Sequence, residues 1–427
     1  MIVLGIFMEG PNTGACLVRN GEIVAVAEEE RFTRVKRASE AFPSKSIAYC
    51  LKAAHASVDD IDLVGVGWDH SQYPDRMNDH MRAIPDREQD EHADLFEGLI
   101  HTALSPALAD FKIETGLRQL GSREIPPVRY FRHHRCHAAS CHYLSGFDRS
   151  AALVMDGSGE EVATTTWVGE GDSIELVDHW NLPHSLGWFY AAMTEFLGFG
   201  AYSGEGKVMG LAPYGKANQV LAEKLTNICA DDPDRIYKVD PTYIYYGNRR
   251  YSKRFTDKMI ELFGEPRRPE SELTDYYVDL AYETQKRLES VAVRLAKDLL
   301  TKTKASDLCI SGGVAMNCKM NGLLSQLESV DRVFINPASY DVGVAIGAAL
   351  LGARDLGDTS NNCVLEHAYW GPEFEDYEIE TALRHCGLVY EKPDDMSDAA
   401  AGLLAEGKIV GWFSGRAEFG ARALGAR

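Results

Sequence analysis

The same local pattern opens this chain twice, about 150 residues apart. MIVLGIF predicts a buried strand, EGPNTG a turn, ACLVR a second strand, Asn20-Gly21 a tight hairpin turn and EIVAVAEE a third strand. Near residue 150 the order returns, with SAALVMD as a strand, GSGEE as a turn, VATTTWVGE as a strand and GD leading into SIELVDHW. A repeated three-strand opening implies two related lobes. Leu273, Tyr277, Leu280, Thr284, Leu288, Val291, Leu295 and Leu299 step by three or four, the spacing of one buried helix face. Residues 72–125, rich in charge, read as a solvated surface excursion. Residues 226–272, with tyrosines and basic groups interleaved in PTYIYYGNRRYSKR, read as a second insertion suited to border a polar acceptor site.

Composition narrows the function classes. With 427 residues, the chain is long enough for two or three domains. Its 44 basic and 64 acidic residues leave a formal charge of −20, which repels phosphate backbones and anionic lipid. A nucleic-acid or membrane role is therefore not expected, and VGVAIGAALLGA is too short to span a bilayer. The nine cysteines are scattered singly, which fits reduced thiols in a cytoplasm, and the start lacks a basic region of a signal peptide.

Four segments carry residues suited to chemistry. In RHHRCHAASCHYLSG, His133 and His137 are four apart and share a helix face, as two ligands of one divalent metal would; a plain histidine cluster has the same spacing. In ALVMDGSGEE, Asp156 ends a strand beside Gly157 and Gly159, suited to a metal or its water, or to a simple turn. In DLCISGGVAMNCKMNG, a strand meets Gly312-Gly313 and a helix begins, whose free N–H groups suit phosphate or ribose oxygens as well as a tight turn. In NPASYDVGVAIGAALLG, Asp341 suits a helix cap, a metal ligand, or both. The small residues at 343, 345, 347, 348 and 349 imply close backbone packing, as under a nucleotide. Two basic stretches suit polyphosphate as well as solvated loops: Arg31, Arg34, Lys36 and Arg37 after the third strand, and Lys207 in YSGEGKVMGLAPYGK, read as a loop that closes over phosphate.

Taken in order, AEEERFTRVK, HHRCHAAS, VMDGSGE, SGEGKVMGLAPYG, ISGGVAMN, NPASYDVGVAIGAA and GRAEFGARALG resemble the NodU/CmcH carbamoyltransferases over essentially the whole chain. That resemblance implies an α/β, two-lobed actin-like (ASKHA) ATPase fold with duplicated mixed sheets over residues 1–360, lobes about 1–145 and 146–360. Residues 361–427 would then be the start of an α/β YrdC-like domain, with most of that domain absent. The family makes carbamoyl-adenylate from ATP and carbamoyl phosphate, then transfers the carbamoyl group to a small-molecule hydroxyl at an iron-type centre. By resemblance the metal ligands are His133, His137, Asp341 and, through water, Asp156, and Fe(II) is the expected metal. Nucleotide contacts fall on Lys36, Lys207, Gly312, Gly313 and Asn317, and Arg416 and Arg422 match carbamoyl-phosphate ligands. Two departures stand out. Pro11-Asn12-Thr13-Gly14 replaces the family's His-Asp-Ala in the first turn, and Ala421 replaces the usual proline. The rival readings are an actin-fold small-molecule kinase, which leaves the histidine pair unexplained, and a non-catalytic nucleotide-binding scaffold.

Overall fold

A computed structural model describes residues 1–38, 41–71, 75–76, 105–200, 203–245, 254–358, 364–422 and 425–426. The first lobe opens with three antiparallel strands, β1 (Ile2–Phe7), β2 (Gly14–Arg19) and β3 (Glu22–Glu28). Helix α1 (Ser44–Ala53) follows, then β4 (Leu63–Val66), helix α2 (Pro106–Gln119), β5 (Val128–Tyr130) and helix α3 (His133–Ser145). Strands β4 and β5 add in parallel, giving the order β3-β2-β1-β4-β5. The second lobe repeats this with β6 (Arg149–Gly159), β7 (Val162–Glu170) and β8 (Ser173–Asn181) antiparallel. Helices α4 (Leu186–Phe196) and α5 (Glu205–Leu211), the hairpin β9 (Cys229–Asp232) and β10 (Ile236–Val239), and the long α6 (Asp275–Thr303) precede β11 (Asp307–Ser311). Helix α7 (Cys318–Leu324), β12 (Arg332–Ile335) and α8 (Val342–Asp355) complete the lobe. Its sheet, β8-β7-β6-β11-β12, has the topology of the first, so the chain has the duplicated two-lobed, actin-like fold.

The inner strands of each sheet are covered on both faces, which is why they read as near-continuous apolar runs, whereas the edge strand β8 is largely exposed. Leu4 and Ile6 of β1 face Ile47, Cys50 and Leu51 of α1 and Ile113 and Leu117 of α2. Their alternates Val3 and Phe7 join the other core, with Val344 and Ala348 of α8. Helix α8 therefore packs on the first lobe's sheet although the second lobe's last strand leads into it. It also crosses α3. An added Cβ on Gly5 would stand 2.0 Å from the Ala345 carbonyl oxygen, and one on Gly347 only 1.9 Å from that of Cys136.

Four expectations are corrected here. The small residues of α8 serve this backbone-to-backbone crossing and not the bed of a nucleotide. Of the first supposed insertion, Pro106–Gln119 is a core helix with Ala109, Ile113 and Leu117 buried, while residues 77–104 lie outside the described residues. The supposed closing loop around Lys207 is helical over Glu205–Leu211, because Val208 buries against the core. The predicted stripe on α6 is buried from Leu280 to Leu299, but the helix starts at Asp275 and leaves Leu273 exposed. Among the described residues no helix is long and apolar enough to cross a membrane.

Candidate metal centre

The two lobes meet around a cavity of about 600 Å³. Four side chains from three elements converge at its floor, where His133, Asp156 and Asp341 line the cavity and His137 is buried beside them. His133 and His137 lie on the first turns of α3, one turn apart and therefore on one face. Asp156 sits where the pairing of β6 with β7 breaks register after Met155, a kink that re-aims a side chain. Asp341 directly precedes α8. Its side chain makes no cap to that helix, so the capping alternative does not hold.

One ligating atom from each of the four lies within 4.8 Å of the others. His133 Nε2 and His137 Nε2 are 3.1 Å apart, and each approaches Asp156 Oδ2, at 3.4 and 3.1 Å. Asp341 Oδ1 is 3.8 Å from His133 Nε2. The far nitrogens have other partners: His133 Nδ1 lies 3.3 Å from the Gly67 carbonyl and His137 Nδ1 3.2 Å from Ser311 Oγ. Such outer contacts turn both Nε2 atoms inward, as in known metal sites. The arrangement fits a divalent ion, and this nitrogen/carboxylate donor set suits iron, manganese or zinc.

The charges are strongly coupled. Burial lowers His137, helped by the charge of His133. Burial also pulls on His133, but the hydrogen bond to Asp156 and the charges of Asp341, Asp156 and Glu160 outweigh it and hold its pKa above the usual value. Asp156 is held well below the carboxylate range, since the two imidazoles overcome its desolvation. Asp341 is pushed up to about 7 by burial and by the charge of Asp156.

A ligand ion needs Asp341 ionised and His133 neutral, so protons compete with it. Divalent-metal affinity is expected to fall about tenfold per pH unit below about pH 7 and to level off above it. Isothermal titration calorimetry across that range measures this. Asp341→Asn should bind more weakly at every pH and with a shallower profile; a flat wild-type profile sinks the assignment.

The other predicted residues are placed unevenly. Lys36, Gly313 and Asn317 line the cavity with Asp156, His133, Asp341 and Arg422. Gly313 also leaves room for Asp156, whose Oδ1 would stand 3.0 Å from an added Cβ. Asn317 caps α7 by accepting from Met320 N at 3.0 Å and donates to Gln285 Oε1 at 2.9 Å. Gly312 forms the turn itself, at φ +88° against the Met155 carbonyl. Lys207 is not brought into this group. Glu205, Gly206 and Met209 of the same helix face the cavity, while Lys207, about 200° round from Glu205, has its Nζ 5.9 Å from the Phe199 ring centroid. Arg416 also lies elsewhere, on the first lobe's β3 and α1.

The altered first turn is tied to the basic segment. Asn12 N and Thr13 N donate to the Arg37 carbonyl at 2.8 and 3.3 Å, and Thr13 Oγ1 donates to Ala38 O at 2.9 Å. The turn thereby holds Arg31, Lys36 and Arg37 at the cavity wall. Sequence reasoning missed several wall residues. Glu9 is buried, with His70 Nε2 3.2 Å from its Oε1. Arg254 is buried with its guanidinium 4.4 Å from the Trp188 ring centroid and beside Glu195. Tyr340 donates to Glu28. Only Arg254 had a signal, the basic-aromatic run of the second insertion; residues 246–253 of that run lie outside the described residues.

Comparison with known proteins identifies the family. The carbamoyltransferase N-terminus family profile matches residues 3–350, and the carbamoyltransferase C-terminus profile matches 401–427. The chain is 37% identical over 446 residues to an uncharacterised protein of Synechocystis sp., covering all of this chain and 70% of that one. It is 32% identical over 431 residues to nodulation protein NolNO of Sinorhizobium fredii, covering 98% of this chain and 58% of the relative. A 3'-hydroxymethylcephem-O-carbamoyltransferase of Amycolatopsis lactamdurans is 29% identical over 219 residues, 51% of this chain and 37% of that enzyme. Among solved structures, HypF in its phosphate- and nucleotide-bound form is 12% identical with a TM-score of 0.40, covering 85% of this chain and 56% of that one. The chain spans only part of the length of each of these relatives. On its own matched length, it belongs to the carbamoyltransferase family, of the NodU/CmcH type.

Proposed function

We propose that this chain carries out the transfer half of an O-carbamoylation, moving a carbamoyl group onto a hydroxyl of a small molecule. The observation that carries this reading is the cluster of His133, His137, Asp156 and Asp341, three of which line the interlobe cavity while His137 is buried beside them, in a carbamoyltransferase-family chain. The donor proposed is carbamoyl-adenylate, formed from ATP and carbamoyl phosphate, and the metal proposed is Fe(II). His133, His137 and Asp341 would hold that metal, with Asp156 acting through water. When bound, a metal supplies polarisation of the carbamoyl carbonyl. The chain's own residues do the rest. Lys36 and Arg37 offset the negative charge of the donor phosphate, while Arg31 is ion-paired with Glu28 and Glu30. Gly313 leaves the backbone open to close approach, and the lobes enclose the site and limit competing water. In the transfer, the acceptor oxygen bonds to the carbamoyl carbon, the carbon–oxygen bond to phosphate breaks, AMP leaves, and the hydroxyl proton passes to a base.

The test supplies ATP, carbamoyl phosphate, a divalent metal and a panel of hydroxyl compounds. It uses this chain alone and the same chain joined to a relative's C-terminal domain. AMP and pyrophosphate that depend on carbamoyl phosphate, with a CONH mass gain on an acceptor, are expected from the joined chain. ADP formation would transfer the reading to a kinase. Nucleotide binding without turnover in either form would make the chain a scaffold.

A further inference from the structure

The turn that follows Asp156 carries a second buried carboxylate. Glu160 lies between β6 and β7, in the second lobe, with its side chain fully buried. Its φ is +50°, in the left-handed region that a residue with a side chain seldom adopts. A carboxylate inside a protein needs partners, and those of Glu160 come from the first lobe. Its Oε1 accepts from Asp69 N at 2.8 Å and from His133 N at 3.1 Å; Oε2 lies 3.3 Å from the same His133 N and 3.6 Å from Arg132 Nε. Arg132, at the cap position of α3, makes no side-chain cap of its own. The helix that carries both histidines therefore takes an N-terminal acceptor from the other lobe, and a carboxylate suits the positive end of a helix.

Both bonds bear on one imidazole. The bond from His133 N fixes where the helix starts. The bond from Asp69 N fixes the segment after β4, in which the Gly67 carbonyl accepts from His133 Nδ1 at 3.3 Å. Trp68, between those two residues, meets the His133 ring edge-on with centroids 5.1 Å apart. A carbonyl can only accept, so in the neutral ring the proton sits on Nδ1 and the lone pair on Nε2, which faces Asp156 Oδ2 at 3.4 Å. The turn also leaves space for that ring: a Cβ on Gly159 would stand 2.4 Å from His133 Cδ2 and 2.9 Å from its Cβ. One short turn thus brings Asp156 to the ring, clears room for it at Gly159 and ties down its backbone through Glu160.

We propose that Glu160 is a positioning residue of the metal centre: from the second lobe it holds the start of α3 and residues 67–69 so that His133 presents Nε2 beside Asp156. This rests on the reading of the four-residue cluster as a divalent-metal site. Glu160 acts through the backbone N–H groups of His133 and Asp69, not as a donor to the ion. What the geometry asks of it is an acceptor oxygen at the Oε1 position, where both N–H groups converge, and not its charge.

The experiment titrates Co(II) into the full chain and reads its affinity together with the visible absorption of the bound ion, which follows the number and kind of donors. Glu160→Gln keeps an acceptor oxygen and removes the charge; Glu160→Ala removes both. Glu160→Ala is expected to weaken Co(II) about 10–100-fold, the range for outer contacts at metal sites, and to change its spectrum as loss of a nitrogen donor does. Glu160→Gln is expected to stay within about threefold of wild type, with the wild-type spectrum. Thermal melts report folding, and Glu160→Asp, a methylene shorter, takes the place of Glu160→Ala if that variant does not fold. A folded Glu160→Ala with wild-type affinity and spectrum overturns the inference and leaves the metal reading standing. So does a Glu160→Gln that loses as much as Glu160→Ala, because charge and not position would then be at work. A wild-type chain that binds no Co(II) overturns both together.

Discussion

Alanine at both His133 and His137 abolishes stoichiometric divalent-metal binding and, with it, carbamoyl transfer: this is the largest effect expected in the protein. The two Nε2 atoms supply half of a four-donor cluster whose atoms lie within 4.8 Å of one another. Outer-shell changes at metal sites cost about 10–100-fold in affinity, so removing two inner donors should exceed that range. Without the imidazoles, Asp156 also loses the contacts that hold its pKa down. Asp156 and Asp341 then repel, and one takes up a proton instead of binding a metal. Ser311→Ala should give the milder outer-shell loss, because it frees His137 Nδ1. The measurement is metal content after dialysis plus competition against a chelator of known affinity, with circular dichroism to establish folding. One equivalent of metal retained at wild-type affinity by the folded double variant would show that the ligands are elsewhere.

The largest stability effect is expected at a residue that touches no ligand. Gly347→Val should destabilise the chain by about 3 kcal/mol or more, at or beyond the upper range for overpacking. The reason is what the new side chain would meet. The Cys136 carbonyl oxygen stands 1.9 Å from an added Cβ, and it is backbone within α3, not the end of a flexible side chain. Relief requires α3 and α8 to separate. Separation would also pull His133 and His137 away from Asp341, so any folded variant should bind metal weakly. Gly210→Ala in α5 is the contrast: nothing lies within 4 Å of its added Cβ, and the helix should gain slightly. Urea unfolding of both variants tests the pair, and equal midpoints for Gly347→Val and wild type would show that the two helices do not cross this closely.

Much of the lobe architecture was legible because it is local. Alternation, hairpin turns and two buried first strands are written within about ten residues of one another, and the two sheets repeat that order. The helical spacing of His133 and His137 likewise needed only the period of a helix. The covered faces of the first lobe were harder to read. Pro106–Gln119 looked like surface because its flanks are charged, yet Ala109, Ile113 and Leu117 make an ordinary buried stripe.

The amino-acid order by itself determined the two strand-turn-strand openings and the histidine pair on one helix face, since these depend on neighbours in the chain. Tertiary structure alone decided that α3 and α8 cross at Gly347, and so that Asp341 meets the two histidines and Asp156. It also decided that Lys207 turns away from the cavity while Met209 faces it, and that Arg416 grips backbone carbonyls while Arg422 lines the cavity. Those outcomes depend on which helix and strand faces meet across the interface of the lobes, and no period or spacing within either segment carries that information.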